Sequence, residues 1–381
     1  MAADGSGPGD AEDPLGENLI GNPRLELGSD GFEGWYFWAD EGLAAEGSRH
    51  VEGGRALLHT EILEGSKGLH ARWWFEPVHL RGGSFYEYED EFRSYGVGRI
   101  IWSCDFGERR SFHWVGQTES SREWRSQRVR FFVPRDCRAT VMHLLDRPGH
   151  LQTRSFSLRK VAARPLKKAF ISFAFDDGRA SNFSFAAEEL ERRGWRGSFY
   201  LIADALGADG FMKPEEAGEL AARGHEIASH SASHRPLVEV PAEELHDEVE
   251  GSLRRLESLG ARGGFAYPFG EFDEVVEPYV AGRARYVRTS LEGLNDAAFD
   301  LQRILVHPVT SETSDAELRQ AVEDVARTRT WLVFLFHDFG EAEGEQVYLT
   351  DPGQFQRLLA WIGEAGVEVL PVIEVIEALG K

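Results

Sequence analysis

The chain has 381 residues, is 42% hydrophobic and carries a formal net charge of -22. That length buries a substantial core and fits two domains or one large one, while the charge repels polyanions and disfavours nucleic acid and anionic membrane surfaces as partners. No apolar run reaches the roughly 18 residues that a membrane helix needs.

The opening, "MAADGSGPGDAEDPLGENLI", has acidic and small residues where an export signal would have a basic patch and an apolar stretch. Residues 1–16 read as a flexible segment. As written the chain reads as cytoplasmic, with an extracellular or cell-surface site as the alternative if a leader has been trimmed away.

From residue 17 to 160, short β-prone runs such as "GRALLHTEIL", "ARWWFEPVHL", "GRIIWSC" and "QRVRFFV" are separated by Gly, Ser, Asp and Pro clusters, with no long helical period between them. The pattern predicts a β-sandwich. Seven of the ten tryptophans fall in this half; aromatics of that density read first as sandwich core, leaving one or two to stack on sugar rings. Cys104 and Cys137 are the only cysteines, too few for a disulfide-built fold, and are expected to be free thiols.

After "VAARPLKK" the texture changes. Apolar runs "AFISFAF", "GSFYLIA", "HEIAS", "GGFAYP", "RILVHPV", "WLVFLF" and "VEVLPVI" alternate with helical or loop segments. "PAEELHDEVEGSLRRLESLG" sets Leu245, Val249, Leu253 and Leu256 on one face, and "DPGQFQRLLAWIGEAG" does the same with Phe355, Leu358, Leu359 and Ile362. Repeated βα units over residues 165–381 predict a distorted TIM-like (β/α)7 barrel, whose chemistry belongs at the C-terminal ends of its strands.

Three motifs fall at such ends. "FAFDDG" closes a buried run with Asp176 and Asp177, and Gly178 permits a sharp exit. "GHEIASHSASH" places His230 and His234 four apart, and "FLFHDFG" sets His337 after an apolar strand. Singly, each has a plain reading: an Asp-Gly turn with a second acid, a chance pair among 13 histidines, a satisfied core histidine. Together they form an open tripod of one carboxylate and two imidazoles that leaves a position on Zn²⁺ for water, with a second carboxylate and a further histidine as base and acid. Two adjacent acids become tolerable in an apolar pocket when one is bound to a dication. Asp177 then holds the metal and Asp176 is free to take a proton.

"FAFDDG", "HSASH", "YPFG" and "FLFHD", in that order, resemble the motifs of polysaccharide deacetylases, the NodB-homology or carbohydrate esterase family 4 group. Residues 17–160, in "NLIGNPRLEL...GFEGWYFW" and "REWRSQRVRFFVP...LQTRSFSLRK", resemble jelly-roll carbohydrate-binding modules. The resemblance implies a metal-dependent hydrolase that removes N-acetyl or O-acetyl groups from an acetylated glycan and releases acetate. It implies Asp176 as general base, Asp177, His230 and His234 as ligands of Zn²⁺ or another divalent ion such as Co²⁺, His337 as general acid, and the backbone N–H of Phe269 as an oxyanion donor. Relatives often have an arginine two residues before the proline of "YPFG", where this chain has Ala266. "RARYVRTS" offers Arg288 as the substitute, with Arg285 the weaker choice. The rival readings are an O-acetyl glycan esterase and a non-catalytic glycan-binding protein.

Overall fold

The computed structural model describes residues 16–64, 69–106, 110–340 and 347–381; the expected flexible segment at 1–16 lies outside them except for Gly16. Contacts divide the chain into two units, Met1–Phe112 with Ser121–Ala162, and His113–Ser120 with Ala163–Lys381.

The first unit is built from two antiparallel sheets. One orders Trp35–Ala39, Ala71–Phe75, Cys137–Leu145 and Gly98–Asp105, with Val78–Leu80 also on Cys137–Leu145; the other orders Ala44–Glu52, Arg55–Glu64, Gly149–Val161, Ser84–Tyr95 and Ser121–Val133. Their inner faces meet: Ile62, Phe92 and Leu151 of the second sheet pack on Ala71 and Leu145 of the first, and Trp102 stacks on Phe131 with ring centroids 4.9 Å apart. Trp35, Trp73 and Trp102 are buried, as a sandwich core requires, whereas Trp38 is exposed.

The two cysteines are not the free thiols that the sequence suggests. Cys104 and Cys137 form a disulfide with Cα atoms 5.8 Å apart. Their strands are antiparallel neighbours in which Cys104 lies opposite Ala139, so the two cysteines sit diagonally across one ladder, at a separation that a disulfide spans. Two cysteines 33 residues apart carry no sign of that register in sequence.

The second unit is a closed parallel barrel. Strands β1 (Phe170–Phe175), β2 (Ser198–Leu201), β3 (Glu226–Ser229), β4 (Gly264–Ala266), β5 (Tyr286–Glu292), β6 (Ile304–Pro308) and β7 (Trp331–Phe336) pair in chain order, and β7 pairs with β1. The ring is distorted at one seam. Strand β1 meets β2 only at its C-terminal end, through Ala174 and Phe175, while its first residues pair with the short strand Glu368–Val369.

Period-two alternation sends successive strand residues into different cores. Phe170, Ala174, Tyr200, Ala228, Ala266, Tyr286, Val333 and Leu335 share one with the final helix, Val372–Ala378. Ile171, Phe173, Phe175, Phe199, Leu201, Ile227, Phe334 and Phe336 share another with the apolar faces of helices Asp315–Thr328 and Pro352–Ala365. Both helices start on a side-chain cap, Ser314 accepting from the N–H of Glu317 and Asp351 from that of Gln354. Gly366, at φ 62°, ends the second.

Closing a 33-residue separation with a disulfide should stabilise the first unit by about 3–4 kcal/mol through the unfolded chain. Denaturant titrations of Cys104→Ala/Cys137→Ala against the oxidised protein are expected to differ by that amount. Equal midpoints would mean that the bond adds nothing.

Candidate active site

The same alternation aims the functional side chains. Inward positions Phe170, Ser172 and Ala174 of β1 lead to Asp176; Glu226 and Ala228 of β3 lead to His230; Tyr286 of β5 leads to Arg288; Val333 and Leu335 of β7 lead to His337. Strands β1 and β7 run in register, Phe175 opposite Phe336, and the Asp176 N–H donates to the Phe336 carbonyl at 2.9 Å. Asp176 and His337 therefore leave their strands at one level.

Asp177 would point away on alternation alone. Its φ of 69°, followed by Gly178 at 78°, turns it back toward the same centre. Ser231, His234 and Phe269 are also left-handed, at 65°, 61° and 58°, so four of the seven non-glycine residues with positive φ among the described residues belong to these motifs. Each costs on the order of 1–3 kcal/mol, and such strain collects where a site must hold an improbable geometry.

Asp177, His230 and His234 each offer one ligand atom, and these atoms lie within 4.8 Å of one another. Asp177 Oδ1 is 3.8 Å from His230 Nε2 and 3.6 Å from His234 Nε2. It is buried and has no hydrogen-bond partner among the described residues. The spacing is too long for hydrogen bonds and close to the roughly 3.3–3.4 Å between neighbouring tetrahedral ligands each about 2.0–2.1 Å from one ion. The donor set is therefore a candidate site for a divalent metal. His230 Nδ1 donates to the Ala266 carbonyl at 3.0 Å, which leaves the Nε2 lone pair facing Asp177. Burial pushes His230 down to about 4, keeping the ring neutral as ligation demands. Arg179 Nη2 contacts the other carboxylate oxygen, Asp177 Oδ2, at 3.4 Å.

Asp176 is 2% exposed and Arg288 0%. One guanidinium nitrogen, Arg288 Nη2, donates to Asp176 Oδ1 at 2.5 Å and Oδ2 at 2.7 Å. Burial by itself raises the Asp176 carboxyl; Arg288, His230 and His337 outweigh it and hold the group below the usual range. The arginine reaches Asp176 from β5 because Ala266 and Arg288 are register partners on β4 and β5. A side chain from the neighbouring strand stands level with the position where relatives often have theirs. Arg285 lies elsewhere, paired with Glu377 at 3.0 Å.

Burial lowers His337, against the pull of both carboxylates. Its Nδ1 is buried without a hydrogen-bond partner among the described residues, and its carbonyl accepts from Asn182 Nδ2 at 2.7 Å. The Phe269 ring, 56% exposed, lies 4.6 Å from that of His234.

Sequence reasoning missed several supports. The Ala266 carbonyl is a backbone group and leaves no mark in the sequence. Glu248, buried in the segment after "GHEIASHSASH", accepts from the Ser233 N–H at 3.0 Å and its hydroxyl at 2.5 Å, fixing the turn between His230 and His234. Asn182 and Arg179 were legible only as polar residues trailing "FAFDDG".

A parallel barrel that gathers acids and imidazoles at its strand ends has them where barrels of this kind carry their chemistry. Residues 163–286 match the polysaccharide deacetylase family, and the chain carries a polysaccharide deacetylase domain. A putative polysaccharide deacetylase of Bacillus subtilis (strain 168), YxkH, is 24% identical over 113 residues, which cover 29% of this chain and 40% of that protein; the match thus spans about two fifths of the relative's length. Among solved structures, the Xyl-CE4 domain of a multidomain xylanase from the hindgut metagenome of Trinervitermes trinervoides is 20% identical, with 56% of this chain and 92% of that one covered at a TM-score of 0.39. The Bacillus subtilis peptidoglycan deacetylase PdaC is 15% identical over 55% and 91%, at 0.38.

Zinc titration of the metal-stripped protein is expected to give one tight site that Asp177→Ala weakens by roughly a hundredfold or more. Arg288→Ala should leave that affinity within a few-fold while lowering stability by about 3–5 kcal/mol, because it strands a buried carboxylate. Undiminished zinc binding by Asp177→Ala would refute the assigned site.

Proposed function

We propose that the protein is a zinc-dependent hydrolase that removes N-acetyl groups from an N-acetylated polysaccharide or oligosaccharide and releases acetate. The observation that carries this reading is the placement of a second carboxylate, Asp176, outside the Asp177, His230 and His234 tripod and beside it, inside a polysaccharide deacetylase domain.

A cation held by Asp177, His230 and His234 would supply Lewis acidity to the acyl carbonyl. The protein's own groups do the rest. Asp176, kept ionised by Arg288, takes a proton from the attacking water at Oδ2, the oxygen 3.6 Å from His230 Nε2. The Phe269 N–H donates to the carbonyl oxygen as negative charge gathers on it. The water oxygen bonds to the acyl carbon, the carbon–nitrogen bond breaks, and His337 gives a proton to the departing amine.

The surrounding charge of -22 favours a neutral glycan and its cationic amino-sugar product over a polyanionic chain. The Cys104–Cys137 disulfide supports the oxidising, extracytoplasmic alternative for its compartment over the cytoplasm.

Zinc-loaded protein should release acetate from N-acetylglucosamine oligomers faster than from acetylated xylan. The reverse order would favour the O-acetyl esterase, and no acetate from either would leave only a glycan binder. Asp176→Asn should lower kcat by about 10²–10⁴ with zinc affinity retained.

The acid limb of kcat/KM reports Asp176. Arg288 holds that carboxyl down, so the base stays active as pH falls until the lowered pKa is reached. Arg288→Ala removes the restraint and leaves burial to push the group up, so the limb should move to higher pH while kcat falls on the order of a hundredfold. An unmoved limb and an unchanged rate would remove Arg288 from the site.

A further inference from the structure

Arg288 is short of partners. Its Nη2 is spent on Asp176, Nη1 has a 3.4 Å contact with the Thr289 carbonyl, and Nε is buried with no hydrogen-bond partner among the described residues. Hydrogen bonds thus anchor one end of the guanidinium and leave part of its donor capacity unmet. What faces it is a ring: Arg288 Cζ lies 4.7 Å from the centroid of Tyr200 on β2.

That ring is anchored from below. Tyr200 and Tyr286 hydroxyls are 2.9 Å apart, and the Tyr286 hydroxyl donates to Glu226 Oε1 at 2.7 Å. Glu226 Oε2 accepts from Ser198 Oγ at 2.6 Å and from the Ile373 N–H at 3.0 Å. Tyr286 commits its hydrogen to Glu226, so Tyr200 donates to Tyr286. The relay runs one way, toward a carboxylate that burial raises and three donors pull back. All four side chains are buried, and none is among the residues assigned to the metal or to proton transfer.

We propose that Tyr200 is a positioning residue for the reaction: locked by Tyr286 and Glu226, its ring face carries the Arg288 guanidinium and through it sets the orientation of the Asp176 carboxylate. The inference rests on reading Asp176 as the base. A desolvated cation–π contact is stronger than an exposed one, and donation of the phenol hydrogen toward a buried carboxylate enriches the ring that Arg288 faces.

Two variants of the full zinc-loaded chain separate positioning from mere support. Tyr200→Phe keeps the ring and loses the hydroxyl; Tyr200→Leu loses the ring. Expected is a roughly thirty-fold loss of kcat in Tyr200→Leu and at most about threefold in Tyr200→Phe, with KM and zinc affinity within about twofold in both. Arginine side-chain ¹⁵N NMR without substrate gives a readout independent of turnover. The Arg288 Nε–H, assigned by its loss in Arg288→Lys, should exchange slowly in the wild type and in Tyr200→Phe, and fast in Tyr200→Leu. Wild-type kcat in Tyr200→Leu, or an Arg288 signal it leaves unchanged, overturns the proposal. Joint loss of KM, zinc affinity and kcat also overturns it, making Tyr200 a general prop of the fold. A wild type that releases no acetate, with an Arg288 signal that still answers to Tyr200, would sink the deacetylase reading and support the positioning.

Discussion

The contact on which the barrel site depends is the buried ion pair between Arg288 and Asp176. Both groups are buried, so each needs the other: a lone carboxylate there would take up a proton, and a lone guanidinium would be a charge without a counterion. The pair fixes two strands that are not neighbours, β1 and β5, across the barrel interior. It also keeps Asp176 charged beside the Asp177, His230 and His234 tripod, where burial alone would favour the neutral acid.

Around that pair the chain accepts strain. Four side-chain-bearing residues in left-handed conformations, Asp177, Ser231, His234 and Phe269, lie at the ends of three strands. Each turns a residue that a plain strand or turn would send elsewhere toward one centre. The cost is carried by the apolar shell outside the barrel, where the Phe173, Phe175, Phe199, Phe334, Phe336 and Phe355 rings pack on one another. A rigid wall of that kind cannot relax by small slides, so the rim keeps geometry that an exposed loop would lose.

Much of this was legible in the chain. The alternation of apolar runs with amphipathic helices predicted the barrel, and the strand-end placement of Asp176, His230 and His337 follows from counting inward positions by twos. Arg288 was within reach because "RARYVRTS" shares a strand parity with buried Tyr286. The disulfide was misread for the complementary reason: Cys104 and Cys137 belong to separate strands whose register depends on every residue between them. The Ala266 carbonyl on His230 and the Tyr200 ring under Arg288 were beyond sequence reading, since one is backbone and the other looks like any core tyrosine.

The sequence by itself determined the two textures, the parallel barrel and the identity of the acids and imidazoles at its strand ends, because periodicity and residue chemistry are local properties of the chain. Only the tertiary structure decided that Arg288 on β5 stands level with Ala266 on β4 and reaches Asp176, that Asp177 turns back to meet two imidazoles, and that two cysteines bond. Those outcomes depend on barrel closure and strand register, which are set by the packing of segments far apart in the chain.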